Sequence, residues 1–305
     1  SPMEREADSV TPRIAIPDER TRPRVIIVTN GNYFANLALG PLLKRTRDRY
    51  HYQVVVTTGL RRPSGNRAQE ALRLLRRWGL RYAVYKAATY ALPSMVQAVT
   101  RRALFVRRTC EELDIPVHVV RNVNEEGPTQ LIRGFGPDLL VSHSCPYRIR
   151  AHVLAIPGIG ALNVHSSLLP EYAGVSTYIH VLAHGQTRTG VTVHEMVEEF
   201  DAGRILEQQV IEMPPRTSAF ALFSEQSVVA GRLLALALDR CVAARRVEGN
   251  QQELERRSYF GDPTSQDIAD LRRRGHRLLR VSDLSRLLRS APQERLAQDA
   301  WAASA

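Results

Sequence analysis

The feature that most narrows the fold is a series of short apolar runs, each closed by turn residues and separated by stretches of helical spacing. Arg24-Val25-Ile26-Ile27-Val28-Thr29 has no polar alternation, as expected of a strand covered on both faces of a parallel sheet. Asn30-Gly31-Asn32 supplies a turn, residues 34–45 have helical spacing, and residues 52–58 form a second apolar run. Strand, helix and strand in that order open an α/β fold. Residues 117–120, 138–142 and 158–164 continue the series, with a helix predicted over 124–135. The turn after the first strand has Gly31 but no G-x-G-x-x-G pattern, so a dinucleotide site is not expected.

A chain of 305 residues with 44% hydrophobic content can bury one large core and an accessory piece. It has no run of eighteen apolar residues and no apolar leader near its start, which excludes a membrane span and predicts a cytoplasmic protein without a membrane partner. Cys110, Cys145 and Cys241 are far apart and lack metal-ligand spacing, so neither a disulfide framework nor a zinc site is expected. The net charge of +11 comes almost wholly from arginine, with Lys44 and Lys86 the only lysines. The arginines are scattered in pairs that suit solvated helix faces, and a nucleic-acid partner is not expected.

Residues 162–203 carry the chemistry. Asn163-Val164-His165 stands near the start, Leu168-Leu169-Pro170 follows at once, and Phe200-Asp201-Ala202-Gly203 closes the stretch. An amide, an imidazole and a carboxylate are thus presented by two loops flanking one helix (177–185) and one strand (190–196). Such a set suits acyl transfer to an amine. The amide can donate to a developing oxyanion, the imidazole can polarise that oxygen or move a proton, and the carboxylate can orient the imidazole. No Ser or Cys nucleophile is required, because the amine attacks directly. His180 and His184 share a helix face but have no third ligand, so no metal is expected.

The run Asn163-Val164-His165-Ser166-Ser167-Leu168-Leu169-Pro170-Glu171-Tyr172-Ala173-Gly174, with Asp201-Ala202-Gly203 further on, resembles the formyltransferases that use 10-formyltetrahydrofolate. Some members of that family have Pro or Ala where Ser166 stands. The resemblance implies a Rossmann-like α/β core, a mostly parallel twisted sheet flanked by helices, with a mainly helical C-terminal extension. It implies Asn163, His165 and Asp201 as the catalytic trio. It also implies that Tyr147, Arg148, Ile149, Leu169, Val197, Glu199 and Phe200 hold the folate, in an apolar slot for its flat ring. Asn32, Tyr33, Phe34, Pro170, Tyr172 and Gly174 are the expected acceptor contacts.

On this reading residues 1–23 are a flexible lead-in, 24–215 the catalytic domain, and 216–305 an extension packed on that core. A helical insertion is expected over 68–110, broken at Pro93. The expected partners are the folate donor and a small-molecule amine, from specialised metabolism or an amino sugar. The oligomeric state is left open, a homodimer included. Methionyl-tRNA is the alternative acceptor, favoured by the charge. It is disfavoured because the tail lacks the short alternating strands of that enzyme's second domain. A 10-formyltetrahydrofolate hydrolase would need a further domain in front, for which residues 1–23 are too short, and a non-catalytic folate-binding module is the remaining reading.

Overall fold

The computed structural model describes residues 21–58 and 67–288; most of the expected lead-in and the end of the expected extension lie outside the described residues. In chain order the elements are β1 (Arg24–Thr29), α1 (Tyr33–Thr46), β2 (His51–Thr57), α2 (Arg67–Thr100), α3 (Val106–Glu112), β3 (Val117–Val120), α4 (Glu126–Phe135) and β4 (Leu139–His143). There follow α5 (Ala151–Leu154), β5 (Gly160–His165), β6 (Ala173–Gly174), α6 (Thr177–Ala183), β7 (Arg188–Glu195), β8 (Ile205–Glu212) and α7 (Ala219–Ala244). A 3-10 turn at Leu254–Arg256, β9 (Tyr259–Phe260), α8 (Ser265–Arg273) and α9 (Val281–Leu288) complete the described chain.

Seven strands form one sheet in the order β3-β2-β1-β4-β5-β7-β8. The first five run parallel, and β7 and β8 add an antiparallel edge. The unbroken apolar run of β1 is explained by this placement. Val25 and Ile27 enter the core beneath α1 and α7, and Ile26 and Val28 enter the opposite core with Ile132 and Phe135 of α4. The strand is buried on both faces, so it shows no alternation.

The order of strand addition reverses at β1 and β4: β2 and β3 lie to one side of β1, and β4 and β5 to the other. In open α/β sheets a crevice forms beyond the carboxyl ends of the strands at such a switch point.

Two expectations are corrected. The insertion does not break at Pro93, which is buried within α2; it breaks at Gly79, whose φ of 73° and ψ of 154° leave the helical region. A proline forfeits one backbone hydrogen bond and can be carried, whereas this left-handed φ favours glycine. The boundary placed at 215 also divides a single core. Leu233, Leu234, Ala237, Leu238 and Cys241 of α7 pack in the same cluster as Val25, Ile27 and Leu39. The later segments do pack on the outside, where Ile268, Leu271 and Leu287 join Tyr82, Tyr85 and Val96 of α2 and Ile179 and Leu182 of α6.

Candidate active site

A cavity of about 490 Å³ opens at the switch point. Its walls come from Asn30 and Asn32 after β1, Ser142 to Ile149 at and after β4, Asn163 to Ser166 at the end of β5, and Glu198 to Asp201 after β7. The three residues singled out in the sequence converge there.

Asn163 lies opposite His194 in the antiparallel β5–β7 pairing, and its Nδ2 is 3.1 Å from His194 Nε2. His194 Nδ1 is 2.8 Å from the carbonyl of Glu195. A carbonyl can only accept, so Nδ1 carries a proton, and Nε2 is left against the Asn163 amide. One N–H of the Asn163 amide is thereby fixed and the other remains for a ligand. His165 is fixed in a comparable way. Its Nε2 is 2.8 Å from the carbonyl of Tyr172, to which it donates, leaving Nδ1 on the side of Asp201 at 3.8 Å.

Asp201 Oδ1 is also 3.6 Å from His194 Nε2, and Oδ2 accepts from the Gly174 N–H at 2.9 Å. Burial of the Asp201 carboxyl works against its charge. His165, then His194, and the Gly174 N–H outweigh that and hold it well below the usual carboxylate range. The site therefore keeps a buried carboxylate between two imidazoles. Tyr172, Ser176 and Asp201 all have positive φ, at 55°, 50° and 52°. Strained residues of this kind persist where surrounding contacts over-determine them.

The C-terminal segment provides those contacts. Gln252 Nε2 donates to the carbonyls of Asp201 and Gly203, at 2.9 and 2.6 Å. Arg257 pairs with Glu199 and donates to the Phe200 carbonyl at 2.6 Å. β9 pairs with β6, and the Tyr172 N–H donates to Ser258 Oγ at 2.9 Å. Both loops that carry the trio are tied to one strap of chain.

Of the expected folate contacts, Tyr147, Arg148, Ile149, Val197, Glu199 and Phe200 line the cavity. The Arg148 guanidinium lies over the Phe200 ring, 5.6 Å from its centroid, and Phe200 and Val197 remain exposed. Leu169 does not line it: its side chain is buried and its N–H donates to Thr192 Oγ1. Among the expected acceptor contacts, Asn32 and Gly174 are on the wall. Asn32 also caps α1 by accepting from the Ala35 N–H. Tyr33 and Phe34 are instead core residues, packed on Phe220, and Tyr172 turns away to stack on Phe260. Pro170 is likewise off the wall. Apolar side chains beside a turn had a core to fill, and burial claimed them.

Several wall residues were not singled out from the sequence as site residues. His194 is the foremost; its register opposite Asn163 is set by strand pairing across 31 residues and leaves no local signal. Lys86 of α2 and Tyr259 and Asp262 of the strap are among the others. Burial depresses the Lys86 ammonium from its ordinary range, with Asp262 partly offsetting it. His143 is buried beside Ser144 and pushed down to about 4, so it stays neutral. Cys145 donates to the Tyr147 carbonyl and burial raises its thiol to about 11, which leaves no thiolate nucleophile. No cluster of three or more His, Cys, Asp or Glu suited to a metal occurs among the described residues.

Residues 93–235 match the family model described as formyl transferase. A methionyl-tRNA formyltransferase from Thermotoga sp. is 36% identical over 110 residues, which is 36% of this chain and 35% of that protein. The chain thus spans about a third of that relative. A sugar N-formyltransferase from a Shewanella species superposes with a TM-score of 0.51 at 16% identity, covering 83% of this chain and 87% of that one. A sugar 3N-formyl transferase solved in the presence of dTDP and 5-N-formyl-THF gives 0.52 at 14% identity, over 83% and 79%. These superpositions bear out the Rossmann-like core with its mostly parallel sheet. The family match falls on the segment that carries Asn163, His165 and Asp201.

Proposed function

We propose that this protein is an N-formyltransferase that moves a formyl group from 10-formyltetrahydrofolate to the amine of a small acceptor, an amino sugar or a specialised-metabolite amine. The observation that carries the reading is the convergence of Asn163, His165 and Asp201 on one cavity wall at the switch point of the sheet. The cavity suits the donor. Ile149, Met196, Val197 and Phe200 offer apolar surface to a flat ring. The sugar 3N-formyl transferase solved with 5-N-formyl-THF and dTDP supports both donor and acceptor class.

The donor supplies an electrophilic formyl carbon, which the neutral acceptor amine attacks to form the new C–N bond. The remaining N–H of Asn163 donates to the oxygen as it gains charge, and the imidazole of His165 adds positive potential beside it. Asp201, held ionised, orients His165 Nδ1 and takes up the proton released by the amine. Collapse of the tetrahedral centre breaks the bond to the folate nitrogen, which receives that proton back from Asp201 as it leaves.

The test is consumption of 10-formyltetrahydrofolate against a panel of amines, amino sugars and charged tRNA, reading tetrahydrofolate release and acceptor mass together. One formyl group gained by a small amine supports the reading. Formylation of methionyl-tRNA alone, the reading favoured by the 36% match and the charge, would replace it. Formate release without an acceptor would make the protein a hydrolase. His165→Ala and Asp201→Ala should each lose about a hundred- to thousandfold in rate while still folding.

A further inference from the structure

Helix α2 is apolar on two opposite faces. One face, with Tyr82, Tyr85 and Val96, is buried against α6 and the C-terminal helices. The other carries Leu80, Val84, Ala91, Met95 and Val99, which recur at four- and seven-residue intervals along one side of the helix. That second face is bare among the described residues: Leu80 is 66% exposed, Val84 57%, Met95 64% and Val99 84%. A continuous apolar stripe of this length on a soluble surface marks a place where something docks.

The charges around the stripe select the partner. Between Glu70 and Glu111 the sequence contains no acidic residue, while Arg76, Arg77, Arg81, Lys86, Arg101 and Arg102 stud the same stretch. Arg77 is paired with Asp262, but Arg76, Arg81 and Arg101 have no acidic partner among the described residues. Two copies of the chain joined along this stripe would bring their basic residues together, and such like-charge contacts oppose association. An anionic lipid surface meets both requirements, with acyl chains for the stripe and headgroups for the arginines. Tyr90, 61% exposed and tilted against the Phe105 ring, adds an aromatic side chain of the kind found at membrane interfaces. No helix among the described residues is long and apolar enough to cross a membrane, and none is needed.

We propose that the exposed face of α2 docks this protein peripherally on an anionic membrane surface. The same helix reaches the cavity through Lys86, so the docking face and the reaction site share one element. The sequence alone predicts no membrane partner, because the criterion there is a spanning segment; a surface helix satisfies a different one.

The experiment is flotation of the full chain with vesicles of phosphatidylcholine, with and without phosphatidylglycerol, at low and high salt. Expected is binding only to the anionic vesicles, weakened by salt, and reduced roughly tenfold or more in Val84→Glu and again in Met95→Glu. Thermal melting confirms that each variant still folds; should one fail to, the other and the salt dependence still decide. Absence of binding to anionic vesicles overturns the proposal, as does binding that neither substitution weakens. Two further outcomes overturn it in favour of other occupants. One is a dimer in sedimentation that Val84→Glu dissociates, with no vesicle binding. The other is strong amide protection across the exposed side of residues 80–99 without vesicles, as when another part of the chain covers the stripe.

Discussion

A Cβ placed on Gly174 would stand 2.0 Å from the carbonyl oxygen of Phe260. The two residues are partners in the short β6–β9 pairing, and the Gly174 N–H is also a donor to Asp201. The C-terminal strap and the proposed catalytic carboxylate therefore meet at one residue with no room for a side chain. Its φ of 107° adds a conformation that other residues rarely adopt. Gly174→Ala should destabilise the protein by about 2–4 kcal/mol and lower turnover beyond that loss, since relief of the clash must move β9 or the Asp201 contact. Thermal melting and turnover of the folded fraction check this. A variant with a normal melting temperature and normal turnover would show that the strap is not needed for the site.

The strap is anchored further along by Asp283, which is 1% exposed. Its carboxylate accepts from Ser218 Oγ at 2.7 Å and from the Arg280 N–H at 2.8 Å, and Ser218 in turn caps α7 by accepting from the Ala221 N–H. Asp283→Ala strands the buried Ser218 hydroxyl and the partly buried Arg280 N–H and should cost about 2–4 kcal/mol. Arg286, whose side chain is 55% exposed, lies 4.0 Å from the same carboxylate, and Arg286→Ala should cost under about 1 kcal/mol. Denaturant midpoints of the two variants compare them. Equal losses would mean that the ion pair, and not the buried hydrogen bonds, holds α9.

The parallel strands and the trio are legible in the sequence because their signals are local. A strand buried on both faces must be a short apolar run, and Asn163, His165 and Asp201 lie within one motif-bearing stretch. What escapes is set by pairing over distance. His194 is chemically as prominent as His165, but only the β5–β7 register puts it against Asn163. Tyr33 and Phe34 flank the right turn yet fill the core, because residue order does not say which side of a helix faces a cavity. Lys86 and Asp262 reach the wall from an insertion and from the tail, whose docking on one another depends on packing through Tyr82, Ile268 and Leu271. In α2 the exposed and buried apolar faces look alike in sequence, and only the fold distinguishes them.

His194 should prove to be a positioning residue. It holds the Asn163 amide at 3.1 Å and stands 3.6 Å from Asp201. In His194→Ala the amide is free to turn, so stabilisation of the oxyanion falls while the apolar slot is untouched. The expected result is a fall in kcat of roughly ten- to a hundredfold, with the affinity for 5-formyltetrahydrofolate, followed by fluorescence, within about threefold of the parent. If donor affinity drops in parallel with kcat, His194 acts in binding and the positioning role is wrong.

Asp201 ties the site to pH. Burial opposes its charge, but His165, His194 and the Gly174 N–H together pull the folded-state carboxyl below its unfolded value. A carboxylate depressed in this way binds fewer protons when folded than when unfolded, so its contribution to stability is present above the unfolded value of about 4 and fades as pH falls through the lowered folded value. Asp201→Asn keeps an acceptor for the Gly174 N–H but removes the charge. The stability gap between parent and variant should then be widest above about pH 5 and should narrow as the solution is taken below about pH 4. Turnover at neutral pH should meanwhile drop by about a hundredfold or more, because no carboxylate remains to orient His165 or to take the amine proton. Denaturation curves at a series of pH values, with turnover at neutral pH, give both readouts. A gap that is constant with pH would mean that the carboxylate is not stabilised in the fold, and near-parent turnover would remove Asp201 from the proposed trio.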